Sequence, residues 1–167
     1  LDARAVFESK YRQGGEKNVV KFLTSDKVVA CSIPFSVSAA RENVRTSRDV
    51  LPEESWELVN ELHLYINDNA SSSWTRRNRY EYLGEVVSRC RVINALLIDS
   101  LPRDHSYGFI KLGRLIECAD MTSRVMDIGA GNIMSQSTPS PVVDTVLWRS
   151  LLHALSAETA YRRAIGP

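Results

Sequence analysis

The sequence predicts an all-α chain, a multi-helix bundle of about six to seven helices. Three observations predict it. Apolar residues recur at steps of three and four along most of the chain, whereas strict alternation is scarce. Proline, glycine or short polar clusters stand between the periodic runs. The 167 residues, 44% of them hydrophobic, are about the size of one ordinary domain and can bury a core. Residues 1–167 are therefore expected to form a single helical domain whose elements are joined by short loops.

Each element has its own signal. After the "QGGE" break at Gln13 to Glu16, a short helix is expected over Asn18 to Leu23. Ser32 is an N-cap candidate with Pro34 in the first turn, where its missing N–H costs little, and this helix is expected to run to about Val50. Pro52 separates it from the next helix, which places Trp56, Val59, Leu62, His63 and Ile66 at helical spacing and ends in "NDNASSS". The longest run, Trp74 to Leu101, carries a seam of Tyr80, Leu83, Val87, Cys90, Ile93, Leu97 and Leu101, and Pro102 stops it. A fifth helix is expected from Tyr107 to Ile128 with Gly129 as its C-terminal cap. "SQSTPSP" reads as a linker near residues 134–141, and a final pair, Val142 to Leu155 and Ser156 to Ala164, closes the chain.

Composition excludes several function classes. Lysine and arginine number 21 against 20 aspartates and glutamates, so no global field draws the chain to nucleic acid or an anionic membrane. Arg76, Arg77 and Arg79 form one short basic cluster, for which pairing with the acidic helix after Pro52 competes with phosphate or RNA binding. Cys31, Cys90 and Cys118 are widely spaced, which fits a reducing, cytoplasmic setting and gives no zinc signature. The longest apolar run, Val92 to Ile98, is too short for a bilayer. His63, His105 and His153 have no metal-ligand spacing, so neither a metal nor a cofactor is expected. The opening residues lack an initiator methionine, which suggests a fragment of a longer chain.

One feature of the fifth helix points to function. At about 100° per residue, Leu112, Leu115, Ile116, Ala119 and Met126 share a face, and Ile110, Met121, Val125 and Ile128 occupy much of the opposite side. Glu117, Asp120, Arg124 and Asp127 form a narrow charged stripe between them. A thin charged line between apolar sides predicts charges packed against other helices, where they need partners. Arg41, Arg45 and Arg48, with Glu42 and Asp49 beside them, form a second row at steps of four and three. Arginine suits bidentate carboxylate contacts, so the two rows invite pairing. Three readings follow: an ionic girdle that fixes helix register, a polar pocket for an anionic ligand, or simple exposure. In the pocket reading Arg41, Arg45 and Arg124 clamp a carboxylate or phosphate, while Glu117 and Asp120 act as acid, base or metal ligands.

In "ARENVR", "SWE-LVNEL" and "LGR-IE-ADMTSR", taken in that order, the chain resembles the bacterial alpha-E family, an all-helical group with a recurrent Glu-Arg motif. The resemblance covers roughly Asn18 to Asp127, and "WRSLLHALSAETAYRR" fits it too. It places Arg114, Glu117, Asp120 and Arg124 in the family pattern, but Glu117 is followed by Cys118 where the family has arginine. Family members are encoded beside, or fused to, ATP-grasp-type ligases and transglutaminase-like proteins. The resemblance therefore implies an auxiliary or partner component of a peptide- or amide-forming or modifying system. An enzyme using the Arg/Glu/Asp pocket is the alternative, and a scaffold or homo-oligomerisation module is a third reading.

Two other signals compete with these. "VMDIGAGN" looks like the glycine-rich loop of S-adenosylmethionine methyltransferases, yet that chemistry needs a preceding strand, and the preceding twenty residues have helical spacing. Neither a Gly-x-Ser-x-Gly element nor a Walker loop occurs. Trp56, Trp74 and Trp148 are expected to anchor the core or helix interfaces.

Overall fold

The computed structural model describes residues 3–12, 14–134 and 141–165, with the side chains of 132–134 and 141 outside the description. The described residues form eight α-helices and no strand: α1 (Ala3–Lys10), α2 (Glu16–Ser25), α3 (Ile33–Thr46), α4 (Glu54–Asn69), α5 (Arg76–Ser100), α6 (His105–Met134), α7 (Pro141–Ala154) and α8 (Glu158–Ile165). The all-α class stands, but the count of six to seven is low. The helix missed is α1, one short segment ahead of the Gly14-Gly15 break. Tertiary aromatic packing supports it: Phe7 stacks on Tyr11 and meets Phe22 of α2 edge-on at 5.3 Å. The chain divides into two compact units, Leu1–Tyr107 and Gly108–Pro167.

The first unit is built around α4. Its Val59, Leu62 and Ile66 are buried at steps of three and four. Leu62 and Ile66 join Tyr82 and Val86 of α5 in the core, with Ile33 and Val37 of α3 packed against them. The α5 seam is rotated from the sequence expectation. Tyr82 and Val86 are buried, whereas Tyr80 and Val87 of the expected seam are exposed; Leu83, Cys90 and Ile93 of that seam do pack against the core. Tyr80 and Tyr82 are two residues apart on a helix, so either could begin a stripe at steps of three and four; the facing Leu62–Ile66 surface selects Tyr82. Burial and the neighbouring Tyr65 push the Tyr82 phenol up to about 12.

Local chemistry fixes the ends. Ser32 caps α3, its hydroxyl accepting from the Phe35 N–H at 3.3 Å, with Pro34 in the first turn. The helix stops at Thr46, earlier than Val50, with Ser47 as its C-cap. Thr75 caps α5, and the Asp104 carboxylate accepts from the Tyr107 N–H at 3.1 Å in the first turn of α6. Arg79 pairs with Glu16 of α2 at 2.7 Å instead of with the acidic start of α4. That hydrogen bond and the Arg79 charge lower the Glu16 pKa.

In the second unit α6 runs straight through "DIGAGN". Gly129 does not cap it, and the methyltransferase loop is excluded because those glycines sit within a continuous helix. Gly129 has a packing reason: a Cβ there would stand 2.6 Å from Leu151 Cδ1 of α7. Residues 135–140 of the expected linker lie outside the described residues. α7 ends in a Schellman turn. Ala157 N–H donates to Leu152 O at 2.8 Å and Ser156 N–H to His153 O at 3.0 Å, with Ser156 at φ 54°. Glu158 at the start of α8 then draws in Arg149 of α7 at 3.4 Å and Arg162 at 3.0 Å. Among the described residues no helix is long and apolar enough to cross a membrane.

Candidate functional site

The arginine row of α3 lies against α4. Arg41 Nε donates to Asn60 Oδ1 at 2.7 Å, and its guanidinium lies 4.7 Å from the Trp56 ring centroid. The Arg48 guanidinium lies 4.1 Å from the same centroid. Trp56 is therefore a helix-interface anchor, as expected, and it engages two cations, each contact being worth about 0.5–1 kcal/mol at partly exposed positions. Arg45 turns to Glu42 on its own helix, with Nε to Oε2 at 2.8 Å. That hydrogen bond lowers the Glu42 pKa and raises that of Arg45. Aromatic and amide groups of α4 thus hold much of a row for which carboxylate partners were expected.

His63 of α4 completes this surface. Its Nδ1 stands 3.4 Å from Ser38 Oγ of α3, and its Nε2 is 2.9 Å from the Asn67 amide nitrogen. An amide N–H donating to Nε2 requires that nitrogen to be unprotonated. Burial, followed by the charges of Arg41 and Lys27, lowers the His63 pKa and favours the same neutral form. His63 is thus a satisfied packing residue between α3 and α4.

On α6 the charged stripe is exposed. Arg124 pairs with Asp120 one turn away, Nε to Oδ2 at 2.8 Å, with the two side chains 69% and 48% exposed. Arg114, Glu117, Cys118 and Asp127 are exposed too. The expectation of a packed seam assumed that the flanking apolar sides would be buried, and they are not: Leu112, Leu115, Ile116, Met121, Met126 and Ile128 are all exposed. Each row therefore makes its carboxylate pair along its own helix, Arg45 with Glu42 and Arg124 with Asp120. Among the described residues no group of three or more His, Cys, Asp or Glu side chains is arranged to hold a metal.

A second site has no counterpart in the sequence reading. A cleft of about 450 Å3 opens in the first unit between the ends of α1, α2 and α4 and the loop before α5. Lys10, Lys21, Lys27, Asp26, Tyr11 and Trp74 are on its walls. Lys10 Nζ meets Asp26 Oδ2 at 2.6 Å, and Lys21 Nζ lies 4.6 Å from the Trp74 ring centroid. The indole N–H of Trp74 donates to Ser25 Oγ at 2.8 Å, which fixes the ring. Burial acts to raise the Asp26 pKa, but hydrogen bonds from Lys10 and from the Val28 and Val29 N–H groups, with the Lys10 charge, outweigh it and lower the value. Only Trp74 was singled out beforehand. The lysines are spread over residues 10–27, and no local spacing shows that helix ends bring them to the same cleft as a residue near position 74.

The all-helical character of the described residues agrees with a family comparison. The model of Alpha-E, described as "a predicted alpha-helical domain with a conserved ER motif", matches residues 1–166. The match extends the resemblance beyond Asn18 to Asp127 in both directions. No curated protein and no solved structure matches the chain. A literal Glu-Arg dipeptide occurs nowhere in the sequence, and Glu117 is followed by Cys118. Matched over nearly its whole length, with α-helices as the regular elements of its described residues, the chain belongs to the Alpha-E family.

Proposed function

We propose that this chain is an auxiliary helical component of a peptide- or amide-forming system, acting by docking onto an ATP-grasp-type ligase. The observation that carries the reading is the surface of α6. Phe109 is 73% exposed, Ile116 59% and Ile128 65%, and the exposed apolar residues occupy both sides of the charged stripe. A helix that leaves apolar side chains exposed on two sides is suited to burial by another protein, because solvent-facing apolar patches of this extent are uncommon on isolated domains. The stripe of Glu117, Asp120, Arg124 and Asp127 would set register against that partner, since complementary charges across an interface fix orientation and specificity more than affinity. The choice of an ATP-grasp-type ligase comes from family resemblance.

The test mixes the purified chain with an ATP-grasp-type ligase, and separately with a transglutaminase-like protein, and measures association by sedimentation velocity. A stoichiometric complex with the ligase is expected. Ile116→Glu, at an exposed position, should abolish it while far-UV circular dichroism and the melting profile stay unchanged. The proposal fails if the ligase does not bind while the chain alone turns over a substrate. In that event Glu117→Gln should abolish turnover without unfolding the protein, as the enzyme alternative requires.

A further inference from the structure

We propose that the cleft between the ends of α1, α2 and α4 binds a small aromatic anion, with carboxylate or phosphate oxygens at Lys21 and Lys27 and a planar ring against Trp74 and Tyr11. The proposal concerns the first unit alone and does not rest on the docking of α6. The cavity, at about 450 Å3, is of the size that takes a small organic ligand. Its charge is unbalanced: three lysines face it with one aspartate. Asp26 is occupied by Lys10 and by the N–H groups of Val28 and Val29, at 2.9 and 3.2 Å. Lys21 and Lys27 are left without a carboxylate partner among the described residues.

Helix ends nearby would ordinarily favour a cation, because the last carbonyls of a helix carry partial negative charge. Here several are already engaged within the protein. Tyr82 OH donates to Thr24 O at 3.4 Å, Ser32 Oγ to Asp26 O, Ser72 Oγ to Asn69 O at 2.8 Å and Ser73 Oγ to Ala70 O at 2.7 Å. The Lys21 and Lys27 ammonium groups are therefore the cationic donors free of a carboxylate on these walls, and they select an anion. The aromatic requirement comes from the other wall. Trp74 is held by its hydrogen bond to Ser25, so its ring is ordered before a ligand arrives and less entropy is lost on binding. Lys21 beside that ring places a cation and an aromatic face within reach of one small molecule.

The experiment titrates the isotope-labelled full chain with phenyl phosphate, benzoate, inorganic phosphate and phenol, following backbone amide resonances. Saturable shifts are expected at Lys21 to Val28 and Ala70 to Trp74 with phenyl phosphate or benzoate. Inorganic phosphate and phenol should each bind about tenfold more weakly, because each offers only half of the recognised chemistry. Lys21→Gln and Lys27→Gln are exposed substitutions that should keep the fold and weaken binding severalfold each, on the order of one charge-assisted contact. Asp26→Asn should tighten binding by releasing Lys10. The proposal is overturned if neither aromatic anion saturates the site, if inorganic phosphate binds as tightly as phenyl phosphate, or if the lysine double variant retains the affinity.

Discussion

Gly129 and Gly131 lie two residues apart in α6, and replacing each by alanine separates a packing role from a loop role. In a helix interior Ala is favoured over Gly by about 1 kcal/mol, with a smaller gain towards a helix end. A Cβ at Gly131 meets nothing within 4 Å, so Gly131→Ala should stabilise the second unit by about 0.5–1 kcal/mol. At Gly129 the same atom would lie 2.6 Å from Leu151 Cδ1 and 3.1 Å from Cδ2. Overpacking costs about 1–3 kcal/mol where neighbours cannot move, and Leu151, being half-buried and flexible, should bring the cost to the lower end. Gly129→Ala is therefore expected to be about 1 kcal/mol or more worse than Gly131→Ala. Urea unfolding followed by circular dichroism measures both, and Leu151→Ala in the Gly129→Ala background should remove most of the difference. Equal stabilisation by the two substitutions would refute the contact between α6 and α7. Strong destabilisation by both would mean that the glycines adopt a conformation closed to alanine, and the continuous helix would be wrong.

Three further outcomes are expected. The folded state lowers the His63 pKa, so the unfolded chain binds that proton more readily; stability should be level above about pH 6.5 and decline as pH falls below it, a slope that His63→Gln should remove from urea midpoints across that window. Ser156→Gly should stabilise the turn between α7 and α8 by about 1 kcal/mol, because a non-glycine residue at φ 54° is strained, and an unchanged or lowered midpoint in urea would contradict the left-handed cap. Cys118→Arg, which creates a Glu-Arg pair with Glu117, should change stability by less than about 0.5 kcal/mol because position 118 is exposed, and a large loss in calorimetry would show that it is buried.

The sequence by itself determined the helical class, most of the helix limits and the family. Those properties rest on short-range causes: Ser32 and Pro34 start α3 through groups one turn apart, and Val59, Leu62 and Ile66 mark the core face of α4 by spacing alone. Its errors fell where a neighbour distant in sequence decides. Tyr82 in place of Tyr80 begins the buried stripe of α5 because Leu62 and Ile66 face it, and Gly129 continues α6 because Leu151 needs its missing side chain. The arginine row was legible as a row, but its contacts with Trp56 and Asn60 depend on how α3 lies on α4. The stripe on α6 was legible too, whereas its exposure was not, since amphipathic spacing states which residues share a face and not what covers that face. Only tertiary structure could reveal the lysine cleft, because the residues that form it meet where helix ends and a loop converge, and no periodicity along the chain records such a meeting.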